Sequence, residues 1–250
     1  MVIVFGETCT DRFVYSQIKR LSPEAPVPVL NPINIIENPG MAGNVVQNLK
    51  AIDANIEIIQ VSQKENITKT RYIEEKTNHM FLRVDEGESN GIDNIVFSEL
   101  PEKLIYKIKR ADAIIVSDYD KGFMDSDFIN SISSLGKLNI LDSKKKLDKS
   151  TIAHFDFIKL NEEEAERNKE LIILFPNKFL VTLGSRGVSH GGILYPSENP
   201  QETIDVSGAG DTFVAAFTIK YLETKNTTES IIYANRMASI VVSKRGVATP

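Results

Sequence analysis

The stretch "DVSGAGDTF", residues 205–213, sets a glycine-rich turn directly against an apolar helical run. Gly208 and Gly210 bracket Ala209, Asp211 follows at once, and "TFVAAFTIKYLE" then carries a helical pattern. Glycine adopts positive φ readily and leaves no side chain between backbone and ligand. A helix that starts just beyond such a turn aims its unpaired N–H groups and positive dipole end at the space above it. That space suits an anion. Asp211 has two readings at this point. It caps the helix, as aspartate often does, or it lies beside a bound phosphate and takes a proton from an attacking hydroxyl.

Upstream, short apolar runs alternate with helical patterns. "VIVFG" (2–6), "IEIIQV" (56–61), "DAIIVSD" (112–118), "LNILD" (138–142), "FDFIKLN" (155–161) and "FLVTLG" (179–184) suit parallel strands covered on both faces. Between them, "AGNVVQNLKAIDA" places Val45, Leu49 and Ile52 on one helical stripe. "ESIIYANRMASIVVSK" predicts a second long helix near the C-terminus. This alternation predicts a three-layer α/β/α domain with a mostly parallel central sheet. Two stretches break the rhythm: residues 12–37, with four prolines, and residues 68–86, β-like but charged. Together they predict a small antiparallel β lid on a single domain spanning 1–250.

Composition narrows the function classes. With 42% hydrophobic and 25% charged residues among 250, the chain holds one large core or two modest ones. A net charge of −5 and a pI near 5.4 argue against a general nucleic-acid binder. No apolar run approaches the roughly 20 residues that span a bilayer, and the N-terminal "MVIVFGE" lacks a basic leader. A lone Cys9 and three scattered histidines predict neither a disulfide framework nor a zinc site, which fits a cytoplasmic protein without membrane or nucleic-acid partners.

Phosphoryl transfer needs an anion cradle, a metal, a base and a nucleotide pocket. The chain has no G-x-x-x-x-G-K-[ST] and no G-x-G-x-x-G after its first strand, so neither a P-loop nor a dinucleotide fold is supported. "NEEEAE" sets Asn161 and Glu164 three apart at a helix start, oxygen donors suited to Mg²⁺ held partly through water, or else an ordinary acidic first turn. "VTLGSRG" ends a strand with two glycines, where a nucleotide could lie on open backbone or a plain turn could form.

In this order, "PGMAGNVVQNLKAIDA", "NEEE", "LVTLGSRG" and "DVSGAGDTF" resemble the ribokinase-like (PfkB family) carbohydrate kinases, and the similarity runs from residue 2 to about 249. A narrower resemblance, to bacterial D-glycero-D-manno-heptose 7-phosphate kinases, rests on "RLSPEAPVPVL" (20–30), "FLRVDEG" (81–87), "SDYDKG" (117–122) and "LDSKKK" (141–146). The resemblance implies ATP-dependent phosphorylation of the C1 hydroxyl of a heptose 7-phosphate, for the nucleotide-activated heptose of surface polysaccharide.

It also implies roles. Asp211 matches the catalytic base, and Gly208, Ala209 and Gly210 the backbone anion hole. Asn161 and Glu164 match the element that organises Mg²⁺. Thr182, Gly184, Gly187 and Asn235 match nucleotide contacts, and Asp11, Gly40 and Asn44 match sugar contacts. Asp205 matches a monovalent-cation position, K⁺ in several relatives. A phosphorylated sugar needs cationic clamps, for which Arg83, Lys121, Lys144 and Lys145 are candidates against the alternative of solvated surface charge. The lid of relatives often forms a dimer contact, so a homodimer is expected.

The chain departs from the pattern at Met41, where the second of two glycines is usual, at Glu7 after Gly6, and at Asp120, where glycine is expected. These positions surround the sugar side and bear on substrate identity. Two alternatives stay open: a kinase for another sugar, and a non-catalytic sugar- or nucleotide-binding module. The nucleotidyltransferase domain fused to many heptose-phosphate kinases is not expected within these 250 residues.

Overall fold

The apolar runs fold as parallel strands because their side chains alternate between two helical layers. The computed structural model describes residues 1–88, 91–197, 207–244 and 248–250. In chain order the first elements are β1 (Val2–Gly6), β2 (Thr8–Leu21), β3 (Pro28–Met41), α1 (Ala42–Ile52), β4 (Ile58–Val61), β5 (Thr68–Glu74) and β6 (Met80–Glu86). There follow α2 (Glu102–Arg110), β7 (Ala113–Asp118), α3 (Ser126–Ser133), β8 (Asn139–Ser143), α4 (Lys149–His154), β9 (Phe157–Asn161), α5 (Glu162–Arg167) and α6 (Lys169–Leu174). The last are β10 (Phe179–Thr182), β11 (Val188–His190), β12 (Ile193–Tyr195), α7 (Ala209–Thr224) and α8 (Thr227–Val242).

Among the described residues the main sheet has the order β12-β11-β10-β9-β8-β7-β1-β4, parallel from β10 to β4. On β1, Val2 and Val4 face a core shared with α1, α7 and α8, while Ile3 and Phe5 face one shared with α2, α3 and α4. That alternation produces three layers. The fold class read from the sequence is the one observed. The antiparallel hairpin β11–β12 at the sheet edge was not expected. Its strands are three residues each, too short for a periodicity signal, though the Gly191-Gly192 turn at positive φ marks it.

The second sheet has the order β3-β2-β5-β6, with β2 and β5 parallel and the outer pairs antiparallel. It contains most of segments 12–37 and 68–86, and its first two strands reach further, to Thr8 and Met41. Pro28, Pro32 and Pro39 are tolerated because β3 is an edge strand. The longer strands bring Asp11 and Gly40 to the root of this sheet, next to the N-terminus of α1.

Candidate active site

Two helix starts converge at the seam between the sheets. Neither α1 nor α7 has a side-chain cap, and each follows a residue at positive φ, Met41 (56°) and Gly208 (80°). The first intrahelical bond of α7 runs from Thr212 N–H to the Gly208 carbonyl, so the N–H groups of Ala209, Gly210 and Asp211 precede it. Asp211 is therefore not a capping side chain. Its carboxylate turns inward, where Asn44 Nδ2 donates to Oδ2 at 2.8 Å and the Tyr119 hydroxyl donates to Oδ1 at 2.9 Å. Burial raises its pKa from 3.8 to about 6, against the lowering hydrogen bond from Asn44; Asp142 raises it further, while Lys159 and Tyr119 lower it.

Two clefts meet at Asp211. The first is polar and lined by Asp11, Met41, Lys69, Arg71, Arg83 and Tyr119. Strand register explains the cation cluster: Lys69 and Arg71 are two apart on β5, and Arg71 pairs with Arg83 on β6. Arg71 forms a salt bridge with Asp11 and stacks over the Phe13 ring, 5.0 Å from its centroid. Arg83 is held by Asp85 at 2.7 and 2.8 Å. Gly40 packs closely against Asp11, where an added Cβ would lie 2.1 Å from Oδ2.

The second cleft is lined by Lys144, Lys159, Asn161, Thr182, Gly184 and Gly210, again with Tyr119 and Asp211. Lys159 is buried and 3.1 Å from both oxygens of Asp142. Burial alone would lower its pKa, yet Asp142, Glu164 and Asp211 together hold it above the ordinary lysine range. Asn161 and Glu164 close a capping box at the start of α5, and Lys144 completes the partners of the Glu164 carboxylate. Beyond this cleft, Thr182, Gly184, Gly187 and Asn235 line one largely apolar pocket with Phe213 and Val242. The Asn235 amide donates to the Tyr195 carbonyl at 3.1 Å.

The structure thus gathers most of the residues singled out in the sequence, with four differences among the described residues. Asn44, expected at a sugar, donates to Asp211 instead. Lys144, expected with the sugar clamps, lies in the second cleft. Lys121 lines neither cleft and pairs with Glu88 at 2.7 Å. Lys145 donates to the Met124 carbonyl at 2.6 Å and lies 3.2 Å from the buried Asp118. Asp205 lies outside the described residues.

Five further residues belong to the site. Lys69 and Arg71 could have been found from their i, i+2 spacing in "TKTRY", and Lys159 from its charge within the apolar "FIKL". Tyr119 lies within the quoted "SDYDKG" and Glu7 stands out as a departure after Gly6, but neither stretch indicated the role of the residue at the site. Glu7 is fully buried and accepts N–H groups from Tyr119, Lys121 and Phe123. Burial first, then Asp118, raises its pKa against those hydrogen bonds.

The pattern of the pfkB family carbohydrate kinases matches residues 42–250. The chain belongs to that family. This pfkB family chain is 30% identical to bifunctional protein HldE of a Helicobacter pylori strain, and 28% identical to that of Escherichia fergusonii. Both alignments cover 99% of this chain, but only 64% and 61% of those relatives. Among solved structures, ribokinase of Thermotoga maritima superposes with a TM-score of 0.73 at 15% identity, covering 98% of this chain and 94% of that one. Arabidopsis thaliana ribokinase complexed with ribose and ATP gives 0.71 at 14%, covering 98% and 93%. Phosphofructokinase-2 of Escherichia coli in complex with potassium gives 0.72 at 15%, covering 99% and 94%. At such identities these three establish the ribokinase-like fold of this pfkB family member.

Proposed function

We propose that the chain transfers the terminal phosphoryl group of ATP to the C1 hydroxyl of a heptose 7-phosphate. The observation that carries this reading is the position of Asp211, a buried carboxylate at an uncapped helix start where a cation-lined cleft meets a second cleft. Adenine would occupy the pocket bounded by Thr182, Gly184, Gly187 and Asn235. The triphosphate would follow the second cleft past Lys144 and Lys159 to the N–H groups of the Gly208–Gly210 turn. The sugar would lie in the first cleft with its hydroxyls toward Asp11 and its phosphate among Lys69, Arg71 and Arg83.

Asp211 removes the hydroxyl proton as the oxygen attacks the terminal phosphorus. The new P–O bond forms as the bond to the β-phosphate oxygen breaks, and ADP leaves. With a pKa of about 6 the base is ionised at neutral pH yet close enough to it to accept a proton. The α7 N–H groups stabilise charge on the transferring group.

A magnesium ion fits this arrangement as a water-bridged guest. Among the described residues no group of three acidic, histidine or cysteine side chains could cage it. Mg²⁺ commonly relies on substrate phosphates and retained water, and Glu164, already engaged by Lys144 and Asn161, would reach it through water beside Asn161. When bound, the ion neutralises phosphate charge.

Three stretches that resemble heptose-phosphate kinases support the choice of sugar: 81–87 carries Arg83, 117–122 carries Tyr119 and 141–146 carries Lys144, all in the two clefts. Met41 favours a second reading, a different sugar phosphate, because its side chain fills space beside the first cleft that glycine would leave open. The second sheet also supports a homodimer, with exposed Ile35 and Leu82 aligned in one row through Val14 and Tyr72.

The test is product mass after incubation with ATP, Mg²⁺ and heptose 7-phosphate, ribose, fructose or fructose 6-phosphate. A bisphosphate from the heptose phosphate alone supports the proposal. Turnover with another sugar replaces the substrate, and silence with all of them despite ATP binding favours a non-catalytic module.

A further inference from the structure

The segment "SDYDKG" at the end of β7 places Tyr119 where the two clefts meet. Of the described residues, only Tyr119, Gly208 and Asp211 line both. Lys69 from the first cleft lies 5.7 Å from the Tyr119 ring centroid and Lys144 from the second lies 5.5 Å from it. We infer that Tyr119 is a positioning residue for the base: its hydroxyl and the Asn44 amide hold the two oxygens of Asp211, fixing one carboxylate orientation that serves both clefts. This inference rests on the reading of Asp211 as base.

The loop that carries Tyr119 is built to fix the hydroxyl. The backbone N–H groups of Tyr119, Lys121 and Phe123 converge on the buried Glu7 carboxylate at 2.8, 3.1 and 3.3 Å. Asp120 N–H donates to Asp118, and Asp120 itself adopts φ 57°. The departure at Glu7 thus has a structural consequence, since its side chain, just past β1, reaches this loop.

Asn44 is fixed in the same way from the other side, where Asn48 Nδ2 donates to its carbonyl and to Oδ1 at 2.8 and 2.9 Å. Each Asp211 oxygen therefore has one donor from a braced side chain and keeps a lone pair for an incoming hydroxyl. The phenol stays a donor: burial first, then the charges of Asp211 and Asp142, raise its pKa well above the ordinary 10. It does not compete with Asp211 as a base.

The charged and titratable groups facing Asp211 come from every surrounding element. Among the described residues they are Cys9 and Asp11 on β2, Lys69 and Arg71 on β5, Arg83 on β6, Asp142 on β8, Lys144 beyond it, Lys159 on β9, and Glu162 and Glu163 on α5. Tyr119 is distinguished from these groups by contact: its hydroxyl, like the Asn44 amide, hydrogen-bonds the carboxylate directly.

The experiment compares wild type, Tyr119→Phe and Asp211→Asn, using heptose 7-phosphate or whichever sugar phosphate the product screen identifies. The readouts are kcat/KM for that sugar against pH, and KM for ATP. Loss of the phenol donor should move the acidic limb upward by about one pH unit. It should lower plateau kcat about tenfold, because the carboxylate is freer to turn, and leave KM for ATP unchanged. The substrate's own ionisation is common to both proteins and drops out of the difference.

3-Fluorotyrosine at 119 keeps the ring and hydroxyl in place while strengthening the donor, and should move the limb downward. An unmoved limb in both variants, with Asp211→Asn inactive, would overturn the positioning role while leaving the base in place. Full activity of Asp211→Asn would instead remove the base, and the positioning role with it.

Discussion

A Cβ added at Gly210 would lie 2.8 Å from Lys159 Nζ, so the first turn of α7 rests directly on a buried ammonium. That nitrogen cannot retreat freely, because it is paired with both oxygens of Asp142 at 3.1 Å. Glycine at 210 thus serves close approach to a cation, as well as to the phosphate of the proposed nucleotide. Gly210→Ala gains about 1 kcal/mol of helix propensity, which offsets the strain of displacing Lys159. Stability should therefore change little, while kcat/KM for ATP falls about tenfold or more. Urea denaturation beside steady-state kinetics checks this; a variant with wild-type kinetics would detach Lys159 from the nucleotide.

Met41 occupies φ 56°, ψ −134°, a region that side chains rarely adopt, and is 3% exposed. Removing its side chain should cost roughly 2–5 kcal/mol. Backbone strain there should amount to about 1–3 kcal/mol, relieved only by glycine. Met41→Gly should therefore be more stable than Met41→Ala by about 1 kcal/mol, the reverse of the usual order. Denaturation midpoints of the pair decide it, and an alanine variant at least as stable as the glycine variant would show that the site carries no strain.

Burial moves Asp211 from 3.8 to about 6, so the folded chain takes up a proton on this group between pH 6 and 4 before the unfolded chain does. Its contribution to stability consequently rises as pH falls through that window, and ionisation at pH 7 costs about 3 kcal/mol. Asp211→Asn escapes that cost but presents an N–H group to donors that expect an oxygen, losing roughly 1–2 kcal/mol. The variant should be more stable than wild type at pH 7 by about 1–2 kcal/mol, with the advantage gone by pH 4. Chemical denaturation at both pH values checks the sign; a variant less stable at pH 7 would contradict the raised pKa.

How much of this was legible in the sequence follows from the range of the interactions. The parallel strands of the main sheet and helices α1, α7 and α8 announced themselves through local sequence pattern, whereas the three-residue strands β11 and β12 did not. Lys159 and the Lys69–Arg71 pair were visible as charges in unexpected places but had no assigned direction. Lys144 was assigned to the sugar because a charge just past a strand end does not reveal which cleft it enters. Tyr119 and Glu7 act through partners 92 and 112 residues away, a separation that no local pattern encodes.

Arg83 lines the first cleft but belongs to no buried core, and its guanidinium is held in place by Asp85. Arg83→Ala should raise KM for a sugar phosphate about tenfold and leave KM for ATP and the unfolding midpoint nearly unchanged. Equal effects on both substrates would remove Arg83 from the clamp.

The central claim is that Asp211 takes the proton from the acceptor hydroxyl, and steady-state turnover of Asp211→Asn measures it most directly. With ATP binding preserved, measured by calorimetry, turnover should fall at least about 100-fold. Turnover equal to wild type would contradict the account.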